Sequence, residues 1–291
     1  MVNYNIIELK SKELPEKLNS IKKPPYKLYA IGNIKLLEKE CFGIVGTRKI
    51  SEYGINNCKN FTREFALRRI PTVSGLALGT DTIVHEETIK YGGETIAVLG
   101  SGFDKVFPPE NRGLFNRIIE NGGLVLSEYS REVESRKNFF PERNRIISAL
   151  SEGILVIEAA YRSGTTITAR NAVQQGKKVF AVPGIIGSTV GEGVNNLIKK
   201  GAVLSTSITD ILYSYPQFMH KKRINVPQKT FIKNEYRKIY ELLKENNLNI
   251  EEIIEKVSGD LPSTLELLSE MELENIVCQE LNGTYKLLER S

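Results

Sequence analysis

The sequence contains little cysteine and little histidine. Cys41, Cys58 and Cys278 are odd in number and none stands in Cys-x-x-Cys spacing, so they support neither a disulfide framework nor a zinc site. His85 and His220 are the only histidines, which leaves few side chains for another metal site or for a serine or cysteine triad. We therefore predict no metal, reduced thiols, and an ordinary helical position for His85.

Long apolar runs are also missing. No window approaches the roughly 18 apolar residues that a membrane-spanning helix needs, and the N-terminal MVNYNIIELKSKELPEKL lacks the apolar region of a signal peptide. With 41% hydrophobic and 26% charged residues among 291, the composition is that of a globular protein with one large core or two unequal ones. We expect a cytoplasmic protein without membrane contact.

From Cys41 to about residue 215, short apolar runs alternate with helical patterns. The runs are FGIVG, IPTVSG, TIAVLG, GLVLSEY, GILVIEAA and KKVFAVPG, and a shorter unit, GVNNLIKKGAVLST, ends the series. Continuously apolar strands separated by helices predict a parallel sheet that is covered on both faces. The predicted fold class of residues 41–215 is α/β, a doubly wound Rossmann-like parallel sheet, after an N-terminal extension over residues 1–40.

The last quarter of the chain has a different pattern. Residues 216–230, PQFMHKKRINVPQKT, contain two prolines and a basic cluster without periodicity, which is typical of a linker. Residues 231–291 contain three helical patterns and then a hairpin pattern that turns at Asn282-Gly283. This order predicts a small winged-helix-like C-terminal domain.

Charge is divided unevenly between these two parts. Residues 229–291 carry 8 Lys/Arg and 13 Asp/Glu, a net charge of −5, whereas residues 1–228 carry 32 and 22, a net charge of +10. The basic part predicts an anionic partner, with a solvated surface as the plain alternative. Because contacts to phosphates need Lys and Arg, the acidic domain is expected to contact protein or to pack rather than to bind duplex DNA.

Small polar turns follow several of the predicted strands. In a doubly wound sheet, ligands bind beyond the carboxyl ends of the strands, where the N–H groups of helix N-termini are exposed. Each turn alone is typical of ordinary helix capping. Together, with arginines among them, they predict a groove for several phosphates. The turns are Gly46-Thr47-Arg48-Lys49, Ser74-Gly75, Gly100-Ser101-Gly102 and Arg162-Ser163-Gly164-Thr165-Thr166.

Two standard nucleotide-binding motifs are absent from these turns. The first turn, GIVGTRKISEYG, is not Gly-x-Gly-x-x-Gly, and the second strand ends in Ser74-Gly75 where a ribose-binding Asp or Glu is expected. The chain also has no Gly-x-x-x-x-Gly-Lys-Ser/Thr loop for ATP and magnesium. We therefore predict no nucleotide cofactor.

The stretch KNFFPERNRIISAL adds cations and aromatic rings to the same edge. Pro141 suits the first turn of a helix, so Arg143 and Arg145 fall near the positive end of the helix dipole, an unfavourable place unless an anion binds there. Phe139 and Phe140 stand beside them, as a base-stacking platform beside phosphate contacts requires. A hydrophobic staple, or a core position for either ring, is the alternative.

Six motifs follow one another between residue 41 and about residue 205. They are GIVGTRKISEYG, TVSGLALGTD, GGETIAVLGSGFDKVFPPEN, NFFPERNRIIS, RSGTTITARNAVQQGKKVFAVPG and GVNNLIKKGA. In order and spacing, they resemble the motifs of the DNA-processing protein A family, also called DprA or Smf. The resemblance implies a Rossmann-like domain that binds single-stranded DNA, loads the RecA recombinase during natural transformation, and forms homodimers.

The resemblance also implies which residues contact DNA. The family's contact positions fall on Arg48, on Lys137, Phe140, Arg143, Asn144 and Arg145, and on Ser163, Gly164 and Thr165. Together with the polar turns, the predicted DNA-binding residues are Gly46, Arg48, Lys49, Ser74, Gly75, Gly100, Lys137, Asn138, Phe140, Arg143, Asn144, Arg145, Arg162, Ser163, Gly164 and Thr165.

The chain departs from the family pattern in a few places. Leu78 replaces the usual arginine, Phe107 the usual tyrosine, and Val194 a usual small polar residue. The first change removes a positive charge. We also expect that the chain lacks the separate N-terminal helical domain of many family members, while its C-terminal unit is similar to the winged-helix appendage of others.

An alternative function belongs to a different class. Nucleotide phosphoribohydrolases of the cytokinin-activating type share this kind of fold and the Gly-Thr turn, but their pattern supplies a carboxylate where this chain has Thr168. Without that acid, glycosidic cleavage has no obvious catalyst. Glu142 and Glu158 are the nearest carboxylates, and capping or ion-pair roles are the favoured interpretation for both. We therefore predict a non-enzymatic protein that binds single-stranded DNA and transfers it to RecA.

Overall fold

A computed structural model describes residues 4–221, 223–224, 234–257, 259–273, 276–280 and 282–288. The chain divides into two compact units, Met1–Val226 and Pro227–Ser291. The strands of the first unit are β1 (Ile7–Lys10), β2 (Lys27–Gly32), β3 (Cys41–Val45), β4 (Thr72–Ser74), β5 (Thr95–Leu99), β6 (Leu124–Ser127), β7 (Ser151–Val156), β8 (Lys178–Ala181) and β9 (Val203–Leu204). Its helices are α1 (Glu16–Asn19), α2 (Glu52–Leu67), α3 (Thr80–Lys90), α4 (Arg112–Glu120), α5 (Phe139–Leu150), α6 (Gly164–Gln174), α7 (Thr189–Lys199), α8 (Ile208–Leu212) and α9 (Pro216–Met219).

The nine strands of the first unit form one sheet in the order β1-β2-β6-β5-β4-β3-β7-β8-β9. All neighbours from β6 to β9 pair in parallel. The strand order reverses between β3 and β7, which is the topological switch point where ligands bind in doubly wound sheets. The predicted fold class is confirmed for this unit.

The N-terminal residues belong to the same sheet. β1 pairs antiparallel with β2, and β2 pairs antiparallel with β6, with Ala30 opposite Leu126. The segment predicted as an extension therefore adds two strands beyond β6. In β1, Ile7 and Leu9 alternate with Glu8 and Lys10 over only four residues, which is the shortest pattern that indicates a strand.

Helices cover both faces of the sheet. Ile44 and Val45, which are adjacent in β3 and so point to opposite faces, belong to different apolar clusters. Ile146, Ile147 and Leu150 of α5 pack in the cluster of Val45, as their spacing predicts. The other faces of the strands pack against α2, α3 and α4, and α4 is a helix that the sequence pattern did not indicate.

The first unit extends past residue 215. Residues Pro216–Met219 form α9, and the Phe218 ring is fully buried against Phe42 and Tyr215. The Ile224 N–H donates to Leu67 O at 2.7 Å. The structure thus differs from the predicted linker at its start, because an apolar anchor within PQFMHKKRI packs on the domain. Residues 222 and 225–230 of that segment lie outside the described residues.

The second unit contains three helices followed by a hairpin. They are α10 (Arg237–Glu245), α11 (Ile250–Val257), α12 (Leu261–Leu273), β10 (Val277–Gln279) and β11 (Tyr285–Leu287). Gln279 lies opposite Tyr285, and Gly283 adopts φ +85° in the predicted turn. Tyr236, Ile239, Leu268 and Met271 form part of a core that this unit builds from its own residues. Three helices followed by a hairpin are the order of elements that the sequence predicts, and a winged-helix-like domain stays a prediction.

Within the part of the chain that the structure describes, no helix is both long enough and apolar enough to cross a membrane.

Candidate nucleic-acid interface

The carboxyl ends of β3, β4, β5, β6 and β7 bring most of the predicted residues to one edge of the sheet. We call this edge the rim; it comprises residues 46–49, 74–79, 100–102, 137–140 and 162–165. The rim contains the switch point between β3 and β7, and the N-termini of α5 and α6 open onto it.

Hydrogen bonds hold the two sides of the switch point together. Thr165, in the first turn of α6, donates through Oγ1 to Gly46 O after β3 at 2.8 Å. Asn144 of α5 donates through Nδ2 to Gly164 O at 3.2 Å. Both side chains are buried, so they fix the positions of three polypeptide segments and are not themselves exposed to a ligand.

The turn before α6 offers unused donors to an anion. The Thr166 hydroxyl donates to Ser163 O at 2.8 Å and accepts from Ser163 N, which fixes the turn. The Ser163 hydroxyl is buried and has no hydrogen-bond partner among the described residues. Since the first N–H groups of a helix also lack intrahelical partners, this end of α6 can bind a phosphate.

Phe140, the second residue of α5, lies at the centre of the rim. The Arg48 guanidinium stands 5.0 Å from the centroid of its ring, and the Phe107 ring stands 5.7 Å away. A Cβ atom on Gly100 would come within 2.9 Å of the Phe140 ring, so the absence of a side chain at Gly100 makes room for it.

A small pocket opens beside this ring. We call it the rim pocket; its volume is about 190 Å³, below the roughly 300–1,000 Å³ of pockets for drug-sized ligands. Leu78 and Phe107, which replace a usual arginine and tyrosine of the family pattern, both line it and are 41% exposed. Both replacements therefore lie in the rim pocket, and they make it more apolar than an arginine and a tyrosine would. It is lined by Arg48, Gly75, Ala77, Leu78, Phe107, Pro108, Pro109, Glu110 and Phe140.

Arg143 is not at the surface of the rim. The side chain is buried, and its Nη1 donates to the carbonyl oxygens of Gly75 and Val98, at the ends of β4 and β5. Burial lowers the pKa of Arg143 to about 10, and the Asp81 carboxylate opposes that shift. Burial likewise raises the pKa of Asp81, and the charge of Arg143 opposes the rise.

Gly75 leaves room for the Arg143 and Asp81 side chains. A Cβ atom at Gly75 would lie 2.5 Å from Arg143 Nη2 and 2.7 Å from Asp81 Oδ2. The expectation that Arg143 stands unpaired at the positive end of its helix is therefore wrong. The partners that the sequence did not reveal are the ends of β4 and β5 and Asp81 of α3.

Arg145 also has partners within the protein. Its Nη1 and Nη2 donate to the two carboxylate oxygens of Glu128 at 2.8 and 2.6 Å, and Nη1 also donates to Glu142 O at 3.3 Å. This bidentate geometry is the strong form of an arginine–carboxylate pair. The expectation of an unpaired cation is wrong for Arg145 as well, and a contact of either arginine with DNA stays a prediction.

The predicted residues thus separate into two groups. One group is buried and shapes the rim: Ser74, whose hydroxyl donates to Ile44 O at 2.7 Å, with Gly75, Gly100, Arg143, Asn144 and Thr165. The other group is exposed: Arg48, Lys49, Lys137, Asn138, Arg162 and Gly164, while Gly46, Phe140, Arg145 and Ser163 are intermediate. Among the described residues, none of the exposed cations Arg48, Lys49, Lys137 and Arg162 forms an ion pair.

A carboxylate is missing at the position where phosphoribohydrolases have their catalytic acid. Thr168, at the position of the acid in phosphoribohydrolases, is buried in α6. Glu158 is buried too, and its carboxylate accepts from Ser51 N at 2.9 Å and Ser51 Oγ at 2.6 Å at the start of α2. This is the capping role expected of it.

Several curated proteins are similar to this chain over most of its length. Protein Smf of Escherichia coli (strain K12) is 33% identical over 292 residues, which cover 98% of this chain and 78% of that protein. DNA processing protein DprA of Bacillus subtilis (strain 168) is 41% identical over 214 residues, which cover 73% of this chain and 72% of that protein.

Solved structures give the same result. The X-ray structure of DprA from Streptococcus pneumoniae has a TM-score of 0.68 at 36% identity and covers 73% of this chain and 74% of that one. A structure of DNA processing protein A from Helicobacter pylori, described for its single-stranded DNA binding mode, has a TM-score of 0.67 at 30% identity. The match covers 74% of this chain and 97% of that one. A family model described as DNA recombination-mediator protein A matches residues 5–216. The chain therefore belongs to the DNA recombination-mediator protein A family.

Proposed function

We propose that this protein binds single-stranded DNA along the rim and passes it to the RecA recombinase without catalysing a reaction. The observation that carries the proposal is the group of exposed, unpaired cations (Arg48, Lys49, Lys137 and Arg162) around the Arg48–Phe140 contact. The likeness to the Helicobacter pylori protein, described for its single-stranded DNA binding mode, supports it.

Each part of the rim has a physical role in this proposal. The cations and the N-terminal N–H groups of α6 bind phosphates, which supply affinity without reading sequence. The rim pocket takes one unstacked base against Phe140, and the cation of Arg48 strengthens that contact. No phosphate is cleaved and no base is modified.

A binding experiment tests the proposal. Single-stranded DNA should bind much more tightly than blunt duplex at equal salt, because stacking needs unpaired bases. If about four phosphates are contacted, the slope of log K against log salt should be roughly −3. Arg48→Ala should weaken binding, whereas Lys59→Ala, a change at an exposed lysine of α2 that forms no ion pair with the described residues, should not. Equal affinity for single strand and duplex would contradict the proposal.

RecA loading is the further step of the proposal. The rim holds the strand mainly through its backbone and through one pocket, so bases elsewhere along the strand stay accessible to a recombinase. Assembly of RecA on single-stranded DNA already coated by a single-strand-binding protein should be faster when this protein is present. An unchanged assembly rate would restrict the function to DNA binding.

We also propose that the protein forms homodimers through the β9 edge of the sheet. Ile185, Ile186 and Leu204 beside this edge are 53%, 95% and 49% exposed, and clustered exposed apolar side chains beside an open strand edge are typical of an interface. Ile186→Asp with Leu204→Asp should convert dimers to folded monomers in analytical ultracentrifugation. A parent protein that sediments as a monomer at micromolar concentration would contradict this part.

A further inference from the structure

A second basic surface lies on the other side of α5. We call it the lysine groove; it has a volume of about 1,050 Å³ and is bounded by the N-terminal segment around α1, by the end of β6, and by α5 and α6. Five cationic and two anionic side chains line it, a net charge of +3. The cations are Lys17, Lys22, Lys23, Arg145 and Lys177.

Two of these lysines are available to a ligand. Lys22 and Lys23 are exposed, and neither forms an ion pair or a hydrogen bond within the described ranges. The other cations are engaged: Lys17 donates to Lys39 O at 2.9 Å, Lys177 donates to Ala149 O and Ser151 O, and Arg145 neutralises Glu128. Lys22 and Lys23 are therefore the cations of the groove whose ammonium groups are free to bind a ligand.

The opposite wall offers amides. Asn171, Gln174 and Gln175 line it. Gln175 donates through Nε2 to Arg145 O at 3.2 Å, while its Oε1 is buried and has no hydrogen-bond partner among the described residues. A buried acceptor without a donor is costly unless a ligand supplies one, as the exocyclic amine of a base does.

Aromatic rings connect the groove with the rim. Tyr129 lines the groove and stacks on Phe139, with centroids 4.0 Å apart and planes at 17°. The Arg136 guanidinium lies 5.7 Å from the centroid of Phe139. Phe139 directly precedes Phe140, which lines the rim pocket. In the first turn of α5, Phe140 thus faces the rim pocket and Phe139 contacts Tyr129 of the lysine groove.

We propose that the lysine groove holds the continuation of the same single strand of DNA, which leaves the rim over Phe139 and Tyr129 and binds Lys22 and Lys23 through its phosphates. This inference rests on the proposed function. A single-stranded polyanion fits better than a protein partner, because stacked rings, amides and unpaired lysines succeed one another along a path that begins at the rim. The N-terminal segment would then be part of the DNA-binding surface.

Two oligonucleotides of different length separate the groove from the rim. A strand of about five nucleotides fills only the rim, and one of about 20 reaches the groove as well, since single-strand sites of this kind cover about 4–16 nucleotides. The variant is Lys22→Ala with Lys23→Ala in the full chain. The control is Lys12→Ala with Lys35→Ala, which removes two exposed lysines of the same N-terminal segment. Neither forms an ion pair in the part of the chain that the structure describes, and neither lines the groove.

The groove variant should bind the short strand normally and the long strand more weakly. Loss of two phosphate contacts lowers the salt slope for the long strand by about 1.4, which corresponds to about 25-fold at 0.1 M salt if the electrostatic part vanishes near 1 M. The control should match the parent protein for both strands. If the long strand gained affinity only by spanning the rims of two protomers, the groove variant and the control should bind it equally well.

Three results with the variants would overturn the inference: normal binding of both strands by the groove variant, an equal loss for both strands, or an equal loss in the control. If the parent protein bound neither strand, the proposed function itself would fail. Binding of the short strand alone, with no gain for the long one, would leave the rim as the site and exclude the groove.

Discussion

Arg143 and Arg145 lie two residues apart in α5, and the helix directs them to different surroundings. Arg143 is buried under the rim and donates to carbonyl oxygens at the ends of β4 and β5, whereas Arg145 pairs with Glu128 beside the lysine groove. Neither needs DNA to compensate its charge in the free protein. The helix dipole alone therefore does not identify a phosphate contact, because a carboxylate or a carbonyl oxygen supplies the same compensation.

Arg143→Ala should destabilise the protein. It removes the donor to two buried carbonyl oxygens and a positive charge that favours the buried Asp81 carboxylate, and each buried acceptor left without its donor costs about 1–3 kcal/mol. Urea unfolding measures this loss, with Lys49→Ala as the control because Lys49 is exposed and forms no ion pair with the described residues. Normal stability together with lost DNA affinity would show that Arg143 contacts DNA directly.

Phe140→Leu should weaken DNA binding by about 1–3 kcal/mol if the ring stacks on a base. The ring is only partly buried, so the free energy of unfolding should change much less than for a core phenylalanine. Titration with single-stranded oligonucleotide and a melting curve on the same sample distinguish the two effects, and Phe140→Tyr, which keeps the ring, is the control. A large loss of stability with unchanged affinity would assign the ring to the core.

His85 should make the fold sensitive to acid. The imidazole is buried in α3, where its Nδ1 lies 2.7 Å from Thr95 Oγ1, and burial, together with the nearby charge of Arg143, lowers its pKa to about 3. Between that value and the ordinary 6.5, the unfolded chain binds a proton that the folded chain does not. Stability should therefore fall as the pH drops below 6.5, by roughly 1.4 kcal/mol per pH unit from this group alone.

The measurement is the free energy of unfolding of the parent protein and of His85→Gln between pH 7 and 4.5. The variant should start from a lower value at pH 7 and lose less on acidification, because glutamine does not titrate in this range. The same pH dependence in both proteins would show that carboxylates, not His85, control acid sensitivity.

At the scale of secondary structure elements, the sequence predicts what periodicity encodes and misses what depends on distant partners. The apolar face of α5 and the helices on both sides of the rim follow from local spacing. β1, β2 and α9 do not, because β1 and β2 are fixed by pairing at the β6 edge and α9 by the burial of Phe218. The same limit applies to the site. Spacing and motifs predict that Arg48, Phe140 and Thr165 lie at one edge of the sheet. Only the fold shows that Asp81 lies near Arg143 and that Glu128 pairs with Arg145.

On the scale of the whole molecule, charge and packing divide the chain at nearly the same place. The second unit carries the net charge of −5 found after residue 228, and its core consists of its own side chains. The first unit holds the rim, the lysine groove and the net positive charge. This division predicts that the DNA affinity resides in the first unit.

A chain that ends at Val226 should therefore fold and keep its affinity for single-stranded DNA within about tenfold, or 1.4 kcal/mol, of the full protein. Its affinity should not fall at low salt, because the truncation removes 13 acidic and 8 basic side chains and so makes the net charge more positive by 5. A chain that ends at Tyr215 is the control: it lacks Phe218 and the bond from Ile224 to Leu67, so it should melt earlier than the Val226 chain. Titrations with oligonucleotide at two salt concentrations, beside melting curves for both chains, make the comparison. A loss well beyond tenfold in a Val226 chain that melts normally would mean that the acidic unit contacts DNA in spite of its charge.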